Sequence, residues 1–162
     1  MMTPVPRLTN YPVLQKQPND YTCVPTCIAM AMDMEVDTVI KHCEDLGIDL
    51  TNGMNDTVTR YVLMTLNIAS YPFIAGDGVG ILPGLFLASV PSRNFKGRTH
   101  SVLVHFSEGM IRVLDPNNER PNYLYWDEDS FGEIGISSFL RLDDFWELRE
   151  ELFKKAAKKF LT

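Results

Sequence analysis

Four side chains in this sequence have the types and spacing of a thiol-based acyl-transfer site: Gln17, Cys23, His100 and Asp115. Cys23 follows the turn-forming residues Pro18, Asn19 and Asp20 and precedes the apolar run that includes Ile28, Met30, Ala31 and Met32, so a helix is expected to start close to it. With Thr22 as N-cap, Cys23 takes the first helical position and Pro25 still falls in the first turn, where its missing N–H is no loss. A thiol attacks a carbonyl as thiolate, and a helix N-terminus favours negative charge. Such sites lower a cysteine pKa from about 8.5 to roughly 3.5–7.5, most effectively beside a histidine. Gln17, six residues earlier, offers an amide N–H that joins the backbone N–H of Cys23 in holding the oxyanion formed on attack.

The proton acceptor must come from His42, His100 or His105. His100 opens a predicted strand after the loop SRNFKGRT, at a strand edge where a site belongs, whereas His42 sits in the middle of a helix. His105 lies five residues further along the same strand, and that odd separation turns it to the opposite face of the sheet. A third group must orient the imidazole. If the hairpin turn centres on Glu108, position 100 faces about position 116, so Asp115 and Asn117 both come within reach, and the Asp-Pro step after a strand favours Asp115. Cys27, one turn beyond Cys23, is expected to pack inward, and Cys43 lies on an apolar helical stripe. A zinc site from Cys23, Cys27, His42 and Cys43 is disfavoured by the C-x3-C spacing and the adjacent His-Cys pair, so no metal and no cofactor is expected.

The elements that must position these residues follow from periodicity. Glu35 to Leu46 carries Val36, Val39, Ile40, Cys43 and Leu46 at helical spacing and is closed by Gly47; Asp56 to Leu66 forms a third helix with Asn55 as N-cap. The two prolines of the first ten residues mark an extended lead-in, with Tyr11 to Leu14 a short strand or edge segment. From Ala69 the pattern turns to β. ASYPFI, GLFLASVPS, HSVLVHF, MIRVLDP, NYLYW (Asn122 to Trp126) and IGISSFLRL (Ile134 to Leu142) are strand candidates, giving a sheet of about five strands, with Ser107, Glu108 and Gly109 as a hairpin turn. The glycine-rich GDGVGILPG reads as a mobile loop beside the site; Gly76, Gly78 and Gly80 lack the Lys-Ser/Thr pair of a phosphate cradle. A last helix is expected from Asp143 to Leu161, acidic at its start and basic at its end, where Lys154, Lys155, Lys158 and Lys159 form a solvated terminus. The fold class is α+β, helices first and sheet second.

A chain of 162 residues with 45% hydrophobic content is expected to form one domain, residues 1–162, with a real core. Its 15 basic and 21 acidic residues, net charge −6, argue against a broad nucleic-acid or anionic-membrane surface. Three cysteines, an odd number, and no signal-like start point to a reducing, cytoplasmic setting, and no apolar run approaches the ~20 residues of a bilayer span. The oligomeric state is left open by the sequence.

The run Q-x5-C-V-P-T-C-x-A-M, with the strand-opening His100 and the strand-ending Asp115-Pro116, resembles the papain-like family of double-glycine leader peptidases and their stand-alone relatives. Gln17, Cys23, His100 and Asp115 match that family's four site positions in order and spacing, over about residues 11 to 118. Val24 departs from it, standing where the family commonly has glycine. The resemblance implies a papain-like fold and a thiol hydrolase acting on a peptide or protein substrate, cleaving a peptide or isopeptide bond. No transporter portion is expected on this chain, so the export-linked processing of leaders is not implied. Two other classes stay open: a thiol acyltransferase, and a non-catalytic binding module or inhibitor that keeps the fold.

Overall fold

The first part of the chain is helical because its apolar residues recur at helical spacing, and the later part is strand because they gather in short β-branched and aromatic runs. The computed structural model describes residues 7–74, 83–117, 121–132, 138–144 and 157–159. Helix α1 spans Cys23–Met32, α2 Val36–Asp45 and α3 Asp56–Thr65, with a 3-10 turn at Leu50–Asn52. Strands β1 (Ile68–Ile74), β2 (Gly84–Pro91), β3 (Thr99–Ser107) and β4 (Met110–Leu114) follow, then the one-turn helix α4 (Glu128–Phe131) and strand β5 (Ser138–Asp144). Among the described residues these strands form one antiparallel sheet of order β1-β5-β2-β3-β4. The expected α+β class, with helices ahead of a five-stranded antiparallel sheet, is the one observed.

Helix α1 is the centre of the core. Every residue from Val24 to Met32 is buried, so the helix is enclosed on all sides. It packs with Val39 and Cys43 of α2, with Val62 and Leu63 of α3, and with the sheet face made by Leu85, Leu87, Leu103, Leu114, Leu140 and Leu142. The other sheet face, Phe86, Ala88, Val90, Val102, Val104 and Phe106, is covered by Trp126 and Phe131. Strand β3 is therefore buried from His100 to Phe106, which is why its sequence is an apolar run rather than an alternation.

Local chemistry sets the boundaries. Asn55 Oδ1 accepts the Val58 N–H at 2.9 Å and starts α3, and Gly47, at φ +78°, closes α2. Glu108 and Gly109 both take positive φ, 50° and 76°, and join β3 to β4 in a two-residue turn that sets Ser107 opposite Met110. The turn thus centres between Glu108 and Gly109, and the register shifts by one residue from the expectation. Leu103 faces Leu114, so by extension position 100 faces 117, with Asp115 on the diagonal.

Some expected elements differ. Asn122 to Trp126 forms no strand; Asn94 Nδ2 donates to Leu124 O at 2.7 Å and Leu124 N–H returns a bond to Asn94 Oδ1 at 2.9 Å, so this segment straps a loop instead of extending the sheet. Tyr11 to Leu14 lies outside the sheet, held by Arg112, which donates to Pro12 O at 3.1 Å and stacks on the Tyr11 ring. Asp143 and Asp144 end β5 rather than opening a helix, and Asp144 Oδ1 accepts the Leu8 N–H at 3.0 Å. Of the remainder of that expected helix, 157–159 are helical, while 145–156 and 160–162 lie outside the described residues, as do 75–82 of the glycine-rich loop region and 133–137 ahead of β5.

Ile28, fully buried in α1, has no room to relax when truncated. Ile28→Ala is expected to cost about 2–5 kcal/mol in urea denaturation, read as a lower midpoint at unchanged slope.

Candidate active site

Helix α1 begins at Cys23, and the expected cap, Thr22, does not close it with its side chain. Thr22 Oγ1 donates back to Asn19 O at 3.2 Å, and Thr26 Oγ1 donates to Thr22 O at 2.7 Å. The Cys23 thiol sits half-buried, hydrogen-bonded to the His100 ring and in contact with backbone groups of Ser101 and Val24.

On its other side His100 meets Asp115. Its Nε2 lies 2.7 Å from Asp115 Oδ1, which leaves Nδ1 as the ring nitrogen toward Cys23. Asp115 is 2% exposed and its oxygens are satisfied locally: Oδ1 also accepts the Asn117 N–H at 2.9 Å, and Oδ2 accepts the Trp126 N–H at 2.7 Å. Of the two residues considered as orienters, it is Asp115 that contacts the ring. The backbone N–H of Trp126 is a partner that the sequence reading missed, and a main-chain donor in a coil segment leaves no signature in the sequence.

Electrostatics follow from this geometry. Burial opposes ionisation of Cys23, but the hydrogen bond and charge of His100, aided by backbone groups of Ser101 and Val24, outweigh it and hold the thiol below its ordinary range. Burial likewise opposes the imidazolium, yet Asp115 and Cys23 raise the His100 pKa to about 9. Each group thus favours the charged form of the other, thiolate beside imidazolium. Cys27 behaves oppositely: it is fully buried, its Sγ lies 3.5 Å from Ser101 O, and burial together with the neighbouring charges of Cys23 and Asp115 pushes its pKa well up.

Gln17 reaches the same place by a backbone bond, its N–H donating to Pro116 O at 3.0 Å directly after Asp115. Its side chain is buried and Nε2 donates to Asn19 O at 2.7 Å, fixing the amide and leaving the second N–H for another acceptor. Two cavities flank Cys23. The larger, about 140 Å³, runs between the segment ahead of α3 and the sheet, with Met54, Thr59, Leu87, Ser101 and Leu140 in its wall, and Val24 beside the thiol. The smaller, about 30 Å³, is bounded by Gln17, Cys23, His100 and Asn117. Gln17, Cys23 and His100 are thus gathered at one point, with Asp115 behind the imidazole.

The other histidines are engaged elsewhere. His42 Nε2 pairs with Thr65 Oγ1 at 2.8 Å, tying α2 to α3. His105 packs edge-on against Tyr11 opposite Arg112, lines neither cavity beside Cys23, and is kept below its ordinary pKa by burial and by Arg112. Among the described residues no group of three or more His, Cys, Asp or Glu side chains is placed to hold a metal ion, and no helix is long and apolar enough to cross a membrane.

The architecture of helices ahead of a five-stranded antiparallel sheet is papain-like, similar to the fold of the double-glycine peptidase domains of transporters. The chain matches a crystal structure of a double glycine motif protease from an AMS/PCAT transporter in complex with the leader peptide, with TM-score 0.52 and 16% identity over 87% of this chain and 99% of that one. It also matches the peptidase domain of Streptococcus ComA, a bi-functional ABC transporter involved in a quorum-sensing pathway, with TM-score 0.54 and 14% identity over 81% of this chain and 98% of that one. No protein-family model and no curated protein sequence matches the chain.

Asp115→Asn removes the charge that faces the imidazole while keeping its shape. The His100 ring, followed by NMR, is expected to titrate well below the value of about 9 in the natural chain; an unchanged titration would mean that Asp115 does not set the imidazolium.

Proposed function

We propose that the chain is a cysteine peptidase, a thiol hydrolase that cleaves a peptide or isopeptide bond through Cys23, His100, Asp115 and Gln17. The observation that carries this reading is the buried His100 ring, bonded to Cys23 on one side and 2.7 Å from Asp115 on the other. The papain-like fold shared with double-glycine peptidase domains supports it, and a neighbour bound to its leader peptide makes an extended peptide a reasonable occupant of the larger cavity.

The mechanism follows from the geometry. The Cys23 thiolate attacks the carbonyl carbon, and the oxyanion is held by the second Nε2 hydrogen of Gln17 and the Cys23 N–H. His100 gives its proton to the leaving amine and is then the base for the water that resolves the thioester. Asp115, fixed by the Asn117 and Trp126 N–H groups, keeps the ring in one tautomer. No metal and no cofactor takes part in this route.

The pH dependence has a definite sign. Attack needs the thiolate and departure of the amine needs protonated His100, so activity rises as Cys23 ionises and falls as pH climbs through about 9. Incubation with a proteome-derived peptide mixture, read by mass spectrometry, is expected to give new termini with the natural chain and none with Cys23→Ala. Gln17→Ala is expected to lower turnover by about 10²–10³. Identical termini from the natural chain and Cys23→Ala, or none from either, would overturn the peptidase reading in favour of a binding module.

A further inference from the structure

The larger cavity beside Cys23, about 140 Å³, changes character from mouth to floor. Its charged residues, Asp20, Asp56 and Arg98, are all exposed and so stand at the mouth. Its buried residues are Val24, Thr59, Leu87, Ser101 and Leu140, each at most 8% exposed and none of them charged. Val24, Leu87 and Leu140 belong to the cluster that packs α1 on the sheet, and half-buried Met54 of the same wall packs against that cluster. The floor is therefore held in place by the core and resists collapse into the space. A cavity of about 150 Å³ holds a benzene-sized group, so this one has room for a side chain between valine and phenylalanine in size. Glycine there would leave the space empty. A charged side chain would bury its charge against Val24, Leu87 and Leu140 without a partner.

We propose that this cavity is a specificity pocket for a medium-sized apolar side chain, Val, Leu, Ile, Met or Phe, on the acyl side of the bond to be cut. The inference rests on the thiol-hydrolase reading above and names its substrate class. The side follows from the site. Gln17, which holds the oxyanion in that reading, and His100, which protonates the leaving amine, line the smaller cavity and not the larger. Cys23 and Val24 stand in the wall of the larger cavity, so the pocket opens directly beside the attacked carbon. It therefore takes the side chain of one of the two residues ahead of the cut. Filling it removes apolar surface from water and fixes the carbonyl against Cys23 Sγ.

The cuts made by the natural chain in a proteome-derived peptide mixture, aligned at the new termini, are expected to be enriched in these five residues at one of the two positions ahead of the cut. Two synthetic peptides that differ only there, Leu against Gly, then measure the pocket. One methylene in a matching apolar pocket is worth about 10–200-fold, so kcat/KM is expected to be at least about 10-fold higher for Leu. Met54→Trp, which fills the cavity from its wall, is expected to bring that ratio down towards one by loss on the Leu peptide. Glycine or charged residues enriched at both positions, a Leu-to-Gly ratio near one, or a ratio that Met54→Trp leaves unchanged overturns the proposal. Should Met54→Trp not fold, Leu140→Phe fills the same floor, and the ratio of the natural chain decides by itself. New termini without the apolar preference overturn this inference and leave the peptidase reading standing. No new termini from the natural chain remove that reading, and this inference with it.

Discussion

The site depends on one contact, the buried hydrogen bond between His100 and Asp115, because it decides which charge state the cysteine can adopt. A buried imidazolium is costly unless a carboxylate faces it, and a buried carboxylate is costly unless its remaining lone pairs are met. Asp115 satisfies both conditions, with His100 at 2.7 Å and main-chain donors from Asn117 and Trp126 on its two oxygens. The resulting cation then offsets the burial that would otherwise keep Cys23 protonated. Loss of the carboxylate would remove one of the two groups that hold the His100 pKa up.

That contact in turn sets requirements on the fold. The two-residue turn at Glu108 and Gly109 fixes the register that brings Asp115 diagonally across from His100. Burial of α1 on all sides fixes where its first residue, Cys23, can stand. The strap from Tyr123 to Trp126 serves both packing and polar bonding: Trp126 covers the outer sheet face, Leu124 is bound to Asn94, and Trp126 reaches Asp115 through its N–H and Pro91 O through its indole.

The parts legible in the sequence were those governed by local chemistry. The turn residues and the apolar run placed the start of α1 at Cys23, Asn55 and Gly47 marked the ends of α3 and α2, and the position of His100 at a strand edge distinguished it from His42 and His105. The parts that were not legible depend on long-range partners. Asn122 to Trp126 has a strand's composition, but its polar groups are taken by Asn94 and Asp115, more than ten residues away. Tyr11 to Leu14 is held by Arg112, a hundred residues from Pro12. Thr22 has the right identity and position for a cap, yet its hydroxyl turns to Asn19 O. The one-residue shift of the hairpin arose from a turn whose centre falls between two residues, which composition alone does not fix.

The proposed chemistry turns on Cys23 being held below its ordinary pKa by His100 beside it. The most direct measurement is the rate of Cys23 alkylation by iodoacetamide against pH, read by peptide mass spectrometry in the natural chain and in His100→Ala; Cys27 and Cys43 are buried and serve as internal references. The account predicts fast alkylation at about pH 6, well below the ordinary thiol range, that slows on loss of His100. Alkylation that rises only at about pH 8–9 in both proteins, as for an unperturbed cysteine, would contradict it.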